Sequence, residues 1–240
     1  MYEERTYREW VKQADLVTFK VVDEETDLLI STDTNLSVEA AEYIAGYRKQ
    51  LKDYIARDVK FLETLEPIEL MDDAPEIAKE MAEAAKLAGV GPMAAVAGAI
   101  AERVGRDLLN SSKQIIVENG GDIFIKSNTQ RLMGIYAGKS PFTGKLALKI
   151  EADQTPLGIC TSSGTVGHSL SFGKADASII LSKWTALADA VATATGNIVK
   201  IEEDIQEAID FARTIEGIEG IIVIIGKKIG AWGKVEIVRI

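Results

Sequence analysis

Residues 115–125 have the sequence Ile-Ile-Val-Glu-Asn-Gly-Gly-Asp-Ile-Phe-Ile, in which two apolar runs flank an adjacent glycine pair. β-branched and apolar runs of this length are typical of strands, and a Gly-Gly pair permits the positive φ angles of a tight turn. The stretch therefore predicts a β-hairpin. In the simplest interpretation Asp122, which follows the glycines directly, only caps the turn.

Further strand-like runs follow this hairpin, each bounded by glycine or polar turns. They cover residues 132–137, 146–150, 158–161, 177–181, 220–225 and 235–240, and an opening hairpin is predicted at 17–22 and 27–31. This succession predicts an antiparallel or mixed sheet.

Helical periodicity appears in five other segments, at residues 37–65, 77–88, from 93 onward, 184–195 and 202–215. No repeat period or low-complexity linker divides the chain. We therefore predict one α+β domain, residues 1–240, in which the helices pack on the sheet.

The composition excludes several classes of protein. The formal net charge is −10, from 37 acidic and 27 basic residues, and no basic run is present, so we expect no nucleic-acid partner. The amino terminus has no apolar core of a signal peptide, and no run of about 18 apolar residues could span a membrane. We expect a cytoplasmic protein with no membrane partner.

The single cysteine and single histidine limit the metal chemistry. One thiol cannot form an internal disulfide, and a Cys- or His-based zinc site needs several such ligands. Any metal must therefore be bound mostly by oxygen, which indicates magnesium or a similar hard cation.

The segment from Gly158 to Ser169 is our candidate working site, because glycines and hydroxyl side chains alternate there. Glycine lets backbone N–H groups approach an anion and Ser/Thr hydroxyls add donors, so the segment suits a phosphate or an oxyanion. A polar turn at the end of a strand is the alternative. The candidate ligand contacts are Thr161, Ser162, Ser163, Gly164, Thr165 and Gly167.

Cys160 and His168 lie eight residues apart in this segment and are the catalytic candidates. Cys160 could be a nucleophile or a persulfide carrier if His168 or a helix N-terminus lowers its pKa. Alternatively, Cys160 fills the core and His168 is a hydrogen-bonded turn residue. The sequence leaves both readings open.

Asp189 and Thr193 are spaced i and i+4 in a predicted helix, so their oxygens lie on one face and could share one divalent cation. A solvated helix face is the usual explanation, but the alanines around them favour burial. Gly120, Gly121 and Asp122 form a further candidate contact, for a ribose, an amine or a base edge.

Taken in order, these segments resemble the ApbE-like superfamily over residues 91–195. The family's Gly-Gly-Asp turn matches residues 120–122, and its Thr-Ser-Gly segment matches residues 161–164 with one extra serine. Its Ala-Asp-Ala-x-Ala-Thr-Ala helix matches residues 188–194 throughout, and this is the most specific of the three matches.

The resemblance implies an activity and a cofactor. The best-known members of the family are flavin transferases, which cleave FAD and attach FMN to a protein threonine. Their magnesium ion implies Asp189, Thr193 and the backbone carbonyl of Ala94 or Ala95 as ligands here. Two family features are altered: Ala95-Val96 replaces the usual Lys-Gly, and the His-x-x-Asp-Pro-x-Thr-Gly segment is reduced to residues 168–173.

Residues 160–169 are most similar to a shorter ApbE-like branch of anaerobic bacteria and methanogenic archaea. The leading hypothesis is a protein that binds FAD, FMN or another small phosphorylated ligand with Mg²⁺, with flavin-transferase-related activity. Because the branch has been linked to assimilation of sulfide into homocysteine, sulfur relay from a sulfur donor through Cys160 is the alternative. A non-catalytic binding module is a third hypothesis. The sequence leaves the oligomeric state open, with a homo-oligomer as one alternative.

Overall fold

The computed structural model describes residues 14–166 and 171–240. Its helices are α1 (Ser37–Ile55), α2 (Lys60–Glu63), α3 (Glu76–Ala88), α4 (Val96–Leu108), α5 (Thr185–Ile198) and α6 (Ile205–Thr214). Its strands are β1 (Val17–Asp23), β2 (Thr26–Thr32), β3 (Ile115–Asn119), β4 (Asp122–Lys126), β5 (Arg131–Gly134), β6 (Leu146–Ile150), β7 (Leu157–Ser162), β8 (Ala177–Ser182), β9 (Ile218–Ile225), β10 (Lys228–Gly233) and β11 (Ile237–Arg239).

The strands form two antiparallel sheets. The larger has eight strands in the order β1-β2-β3-β4-β7-β8-β9-β10, and the smaller has three in the order β11-β6-β5. The prediction of an α+β fold with an antiparallel sheet and packed helices is confirmed.

Side chains on opposite faces of the large sheet belong to two different cores, so the fold has three layers: the helices, the large sheet and the small sheet. Ile115 and Val117 of β3 belong to the core shared with the helices, whereas Ile116 between them belongs to a second core shared with the small sheet. Successive side chains of a strand point to opposite faces, so the large sheet is covered on both sides. Each fully buried isoleucine contributes about 1.5–3 kcal/mol to folding.

The predicted hairpin at residues 115–125 is present. Asn119 pairs with Asp122 at its tip, and Gly120 and Gly121 adopt φ angles of 69° and 108°. The N–H of Gly121 donates a 2.8 Å hydrogen bond to the carboxylate of Glu118. The turn therefore fixes Asp122 at the first position of β4.

The single long helix predicted for residues 37–65 is wrong. α1 ends at Ile55, and the short α2 follows after a turn. The fully buried rings of Tyr54 and Phe61 explain the break, because the chain turns back to bring them into edge-to-face contact with centroids 5.2 Å apart. A second difference is β10, which is not among the predicted strands and pairs with β9.

Within the described residues, no single helix is long and apolar enough to cross a membrane. Glu76–Ala88 and Pro92–Leu108 are long and apolar enough for a membrane span only when they are taken together, and the two segments meet at a bend of 102°.

Candidate functional site

Two cavities meet at a shared wall, which we call the junction, formed by Asp122, Asp189 and Thr193. The first, which we call the sheet-side cavity, lies between the large sheet and the small one. The second, which we call the helix-side cavity, lies beside α5 and the start of α4. The side chains of these three residues therefore border a cavity on each side.

The sheet-side cavity has a polar end and an apolar end. Gly120, Gly121, Thr161, Ser162 and Ser163 line the polar end. The side chains of Met133, Ile135, Tyr136, Leu148, Ile159 and Ile179 line the apolar end. A ligand with a flat apolar ring and a polar or charged tail suits such a cavity.

Asp122 links the two strands that carry the polar end. Its carboxylate accepts a 3.1 Å hydrogen bond from the N–H of Thr161, so it joins the start of β4 to β7. The side chain lies in both cavities and is almost completely buried. The glycine turn before it therefore positions a carboxylate at the junction, beyond capping the hairpin.

Asp189 and Thr193 lie on one face of α5, as their i, i+4 spacing predicts, and both line both cavities. Asp189 is 9% exposed, so it is not part of a solvated helix face. Burial raises the pKa of its carboxyl well above the ordinary value, and the nearby charge of Asp122 adds to this rise. Burial and the charge of Asp122 together therefore disfavour two ionised carboxylates at this wall unless a proton or a cation compensates them.

The first turn of α4 holds Asp189 in place. The Oδ2 atom of Asp189 accepts a 2.8 Å hydrogen bond from the N–H of Gly98. The carbonyl of the same peptide unit, that of Ala97, accepts a 3.1 Å hydrogen bond from the side-chain amide of Asn119. Asn119 at the end of β3 therefore orients the peptide unit between Ala97 and Gly98, so that the Gly98 N–H points at Asp189.

The two helix N-termini next to the site already have carboxylate partners. Asp189 caps α4, and Glu102 accepts a 2.6 Å hydrogen bond from the N–H of Thr185 at the start of α5. Free N–H groups at helix N-termini are common anion sites. The N–H groups of Gly98 and Thr185 are therefore used internally and are not free to bind a phosphate.

Gly164 and Thr165 form a turn and do not line either cavity. The N–H of Gly164 donates to the carbonyl of Ala175 at 2.8 Å, and the Thr165 hydroxyl donates to Asp176 at 2.9 Å. Val166, which follows them, lines the sheet-side cavity. The predicted contacts Gly167 and His168, together with Ser169, lie outside the described residues.

Cys160 lies in the core on the helix side of β7. Its side chain is fully buried, and its thiol donates a 3.4 Å hydrogen bond to the carbonyl of Thr185. Burial raises the pKa of the thiol well above its ordinary value, and the charges of Asp122 and Asp189 raise it further. This environment favours the neutral thiol and does not favour the nucleophilic thiolate that sulfur relay needs.

The residues predicted to bind a metal lie around one cavity: Asp189, Thr193 and Ala94 all line the helix-side cavity. Ala95, the other residue considered for the carbonyl ligand, is fully buried. In the described residues, no three His, Cys, Asp or Glu side chains are grouped as a metal site. Such a donor set suits Mg²⁺, which keeps waters and binds through one or two carboxylates plus phosphate oxygens of a ligand.

Several site residues were not predicted from the sequence. The apolar wall comes from β5, β6 and residues 135–136 on one side and from Ile159 and Ile179 of the large sheet on the other, and Tyr136 is its aromatic member. Asn197 on α5 lines the helix-side cavity one turn beyond Thr193. Its i, i+4 relation to Thr193 was the only signal in the sequence.

A family model described as AbpE bacteria matches residues 8–236 of the chain. The chain belongs to this family. A UPF0280 protein of Methanocaldococcus jannaschii is 41% identical over 222 residues, 90% of each chain. A UPF0280 protein of Methanosarcina acetivorans is 44% identical over 214 residues, which cover 88% of this chain and 84% of the relative.

Solved structures of flavin transferases share the fold of this AbpE family member. A variant of the flavin transferase ApbE from Vibrio cholerae has a TM-score of 0.60 and 13% identity, covering 92% of this chain and 97% of its own. The flavinyl transferase ApbE from Pseudomonas stutzeri has a TM-score of 0.57 and 12% identity, with 91% and 94% covered. At this identity the likeness shows the fold alone.

Proposed function

We propose that this protein binds a flavin nucleotide, or another ligand that joins a flat ring to a phosphate, in the sheet-side cavity together with a divalent cation. One observation carries the proposal. Three segments that are far apart in the sequence, residues 120–122, 161–163 and 189–193, come together around one cavity with an apolar far end. The ring would lie against the apolar wall and the phosphate against the glycines and hydroxyls.

Charge explains why the cation belongs to the proposal. Among the described residues that line the two cavities there is no Lys or Arg, and there are two carboxylates. A phosphate would therefore meet net negative charge at the junction. A divalent cation on the carboxylate and hydroxyl oxygens would turn this repulsion into attraction.

Asp189, Thr193 and the carbonyl of Ala94 are the residues that would hold the cation. When bound, magnesium would neutralise the charge of a pyrophosphate and assist attack on it. Asp122 would stay at the opposite side of the junction, fixed by the N–H of Thr161. The Gly98 N–H would hold Oδ2 of Asp189 in place while the carboxylate contacts the cation.

The structural neighbours named as flavin transferases support a transferase-related reaction. The chain differs from that family's pattern at Ala95-Val96, where the family has Lys-Gly. Loss of that lysine removes a cationic contact for the phosphates, which makes the bound cation the main source of positive charge here. We therefore propose flavin binding with metal as the core of the function and transfer of FMN as its extension.

Equilibrium dialysis of FMN and of FAD against the purified protein tests the proposal, once with MgCl₂ and once with EDTA. We expect micromolar binding with magnesium and about tenfold or greater weakening with EDTA or in Asp189→Asn. Asp72→Asn, a surface change of the same kind, is the matched control and should bind like the wild type. Absence of micromolar binding of both flavins with magnesium would contradict the proposal.

A further inference from the structure

Two segments outside the large sheet border the sheet-side cavity along one edge. The first, which we call the wall loop, is residues 135–145 between β5 and β6, and it places Tyr136 on the cavity. The second, which we call the polar turn, is residues 163–166 after β7, and it places Val166 there. A Cβ atom at Gly138 would lie 2.8 Å from Cγ2 of Val166, so the loop and the turn are in contact. Their separation therefore sets the width of the cavity along this edge.

Asp176, which lies directly before β8, links these two segments. Its Oδ1 atom accepts a 2.9 Å hydrogen bond from the hydroxyl of Thr165 in the polar turn. Its Oδ2 atom accepts a 2.7 Å hydrogen bond from the N–H of Gly226, between β9 and β10. The carbonyl of Gly226 also accepts a 2.8 Å hydrogen bond from the hydroxyl of Ser140 in the wall loop. One carboxylate is therefore linked to the polar turn directly and to the wall loop through a single residue.

The large sheet fixes the position of Asp176. Its N–H donates a 2.8 Å hydrogen bond to the carbonyl of Ile224 in β9, and the next residue, Ala177, begins β8 and pairs with Ile224. Hydrogen bonds to an ionised carboxylate are shorter and stronger than those between neutral groups. Asp176 is therefore an anchor on the sheet, from which both bordering segments are held.

Hydrogen bonds within the wall loop carry this restraint to the cavity. The N–H of Ser140 donates to the carbonyl of Ala137 at 2.9 Å. The hydroxyl of Thr143 donates to the carbonyl of Gly138 at 2.9 Å and accepts from the N–H of Ala137 at 3.1 Å. Because these bonds make the tip of the loop one unit, a displacement of Ser140 moves Ala137 and the adjacent Tyr136 with it.

The polar turn is held together in the same way. The Oγ atom of Ser163 accepts hydrogen bonds from the N–H groups of Thr165 and Val166, each at 3.1 Å. Ser163 and Val166 line the cavity, whereas the hydroxyl of Thr165 donates to Asp176. The Asp176 carboxylate therefore positions the two cavity-lining residues of the turn through Thr165, which does not line the cavity itself.

We propose that Asp176 is a positioning residue of the sheet-side cavity, which holds the polar turn against the wall loop and so keeps the cavity narrow enough to hold a flat ring. Asp176 does not line the cavity, so it acts through Val166 on one side and Tyr136 on the other. This inference rests on the proposed function, because the ring is that of the flavin. Without the carboxylate the two segments would separate, and ordering them again on binding would cost affinity.

Equilibrium dialysis of FMN with MgCl₂ is the first test, on the wild type, Asp176→Ala and Asp176→Asn. We expect about tenfold weaker binding in Asp176→Ala and a smaller loss in Asp176→Asn, whose amide keeps one acceptor oxygen. Asp33→Ala is the matched control. Asp33 also accepts from one hydroxyl, that of Ser112, and one N–H, that of Lys113, and it lines neither cavity. This variant should bind FMN like the wild type.

Amide hydrogen exchange of the flavin-free protein is the second test. The N–H groups of Ala137 and Val166 donate to hydroxyls within their own segments and not to Asp176. In Asp176→Ala both should exchange about tenfold faster, because the segments that carry them open locally more often. Asp33→Ala should leave both rates unchanged.

Wild-type FMN affinity in Asp176→Ala, or wild-type exchange rates at both amides, would overturn the inference, since a purely structural role lowers stability alone. A wild-type protein that binds no FMN would reject the proposed function. The exchange rates would then decide the inference by themselves: faster exchange in Asp176→Ala keeps the link between the two segments, and unchanged exchange rejects it.

Discussion

Asp189 on α5 accepts a 2.8 Å hydrogen bond from the backbone N–H of Gly98 on α4. The two residues are 91 positions apart in the sequence, and the two helices touch at this point. A Cβ atom at position 98 would lie 2.6 Å from the carbonyl oxygen of Thr185 and 2.8 Å from the Cβ of Asp189. Glycine is therefore required for the contact that holds the candidate metal ligand, which explains a residue that otherwise weakens a helix.

Gly98→Ala should lower the free energy of unfolding by about 1–3 kcal/mol, because the added methyl group meets backbone atoms that cannot move aside. Gly46→Ala is the matched control, since it lies inside α1 and a Cβ there would meet nothing within 4 Å. That change should be neutral or stabilising by up to about 1 kcal/mol. Urea denaturation of both variants measures the difference, and equal effects would contradict the account.

Asp189→Asn should make the metal-free protein at least as stable as the wild type. The asparagine oxygen can still accept from Gly98, and the amide, unlike the carboxyl, has no ionised form for burial and the charge of Asp122 to disfavour. The same change should remove most of the stabilisation that MnCl₂ gives to the wild type. Thermal unfolding with and without MnCl₂ tests both parts, with Asp72→Asn as the control. A variant that is less stable without metal, yet equally stabilised by MnCl₂, would refute them.

Cys160 should react very slowly with Ellman's reagent in the folded protein and rapidly after unfolding in urea. The thiol is fully buried, and its raised pKa keeps it protonated near neutral pH. Cys160→Ala, which has no thiol, gives the background of the assay. Rapid reaction of the native protein would revive sulfur relay as a function, because it would show that a sulfur donor can reach this atom.

Stability at alkaline pH should depend on Tyr47. Its hydroxyl donates a 2.6 Å hydrogen bond to Asp107, and burial together with this carboxylate raises the pKa of Tyr47 from 10.0 to about 12. Because the pKa is higher in the folded than in the unfolded state, the stability that Tyr47 supplies is complete below pH 10.0 and declines as the pH rises towards about 12.

Urea denaturation at about pH 9 and about pH 11, on either side of the ordinary tyrosine pKa, measures this decline. The free energy of unfolding of Tyr47→Phe should fall less over this interval than that of the wild type. Tyr43→Phe on the same helix is the control and should fall as the wild type does. Equal losses of stability in all three proteins would show that the Tyr47 hydroxyl does not cause the decline.

Local patterns in the sequence predicted the structural features that depend on residues close together in the chain. The glycine pair predicts the hairpin that positions Asp122, and the four-residue spacing predicts that Asp189 and Thr193 share a face. The break after Ile55 was missed because it depends on Tyr54 meeting Phe61, which helical periodicity does not report.

Contacts between distant segments could not be predicted in this way. The cap that Glu102 gives to α5 joins residues 83 positions apart. The apolar wall of the sheet-side cavity depends on how the small sheet packs on the large one. The sequence of Cys160 and its neighbours indicates a ligand loop, but the direction of its side chain follows from the register of β7, which buries the thiol towards α5.

The most direct test is a crystal structure of the protein with FMN and MnCl₂, with anomalous data that locate manganese. We expect one manganese peak within ligand distance of the Asp189 carboxylate, the Thr193 hydroxyl and the Ala94 carbonyl. We also expect the flavin ring to lie against Tyr136 and the phosphate to lie at Gly120 and Gly121. A manganese ion or a flavin bound elsewhere, with both cavities holding only water, would contradict the assignment of this site.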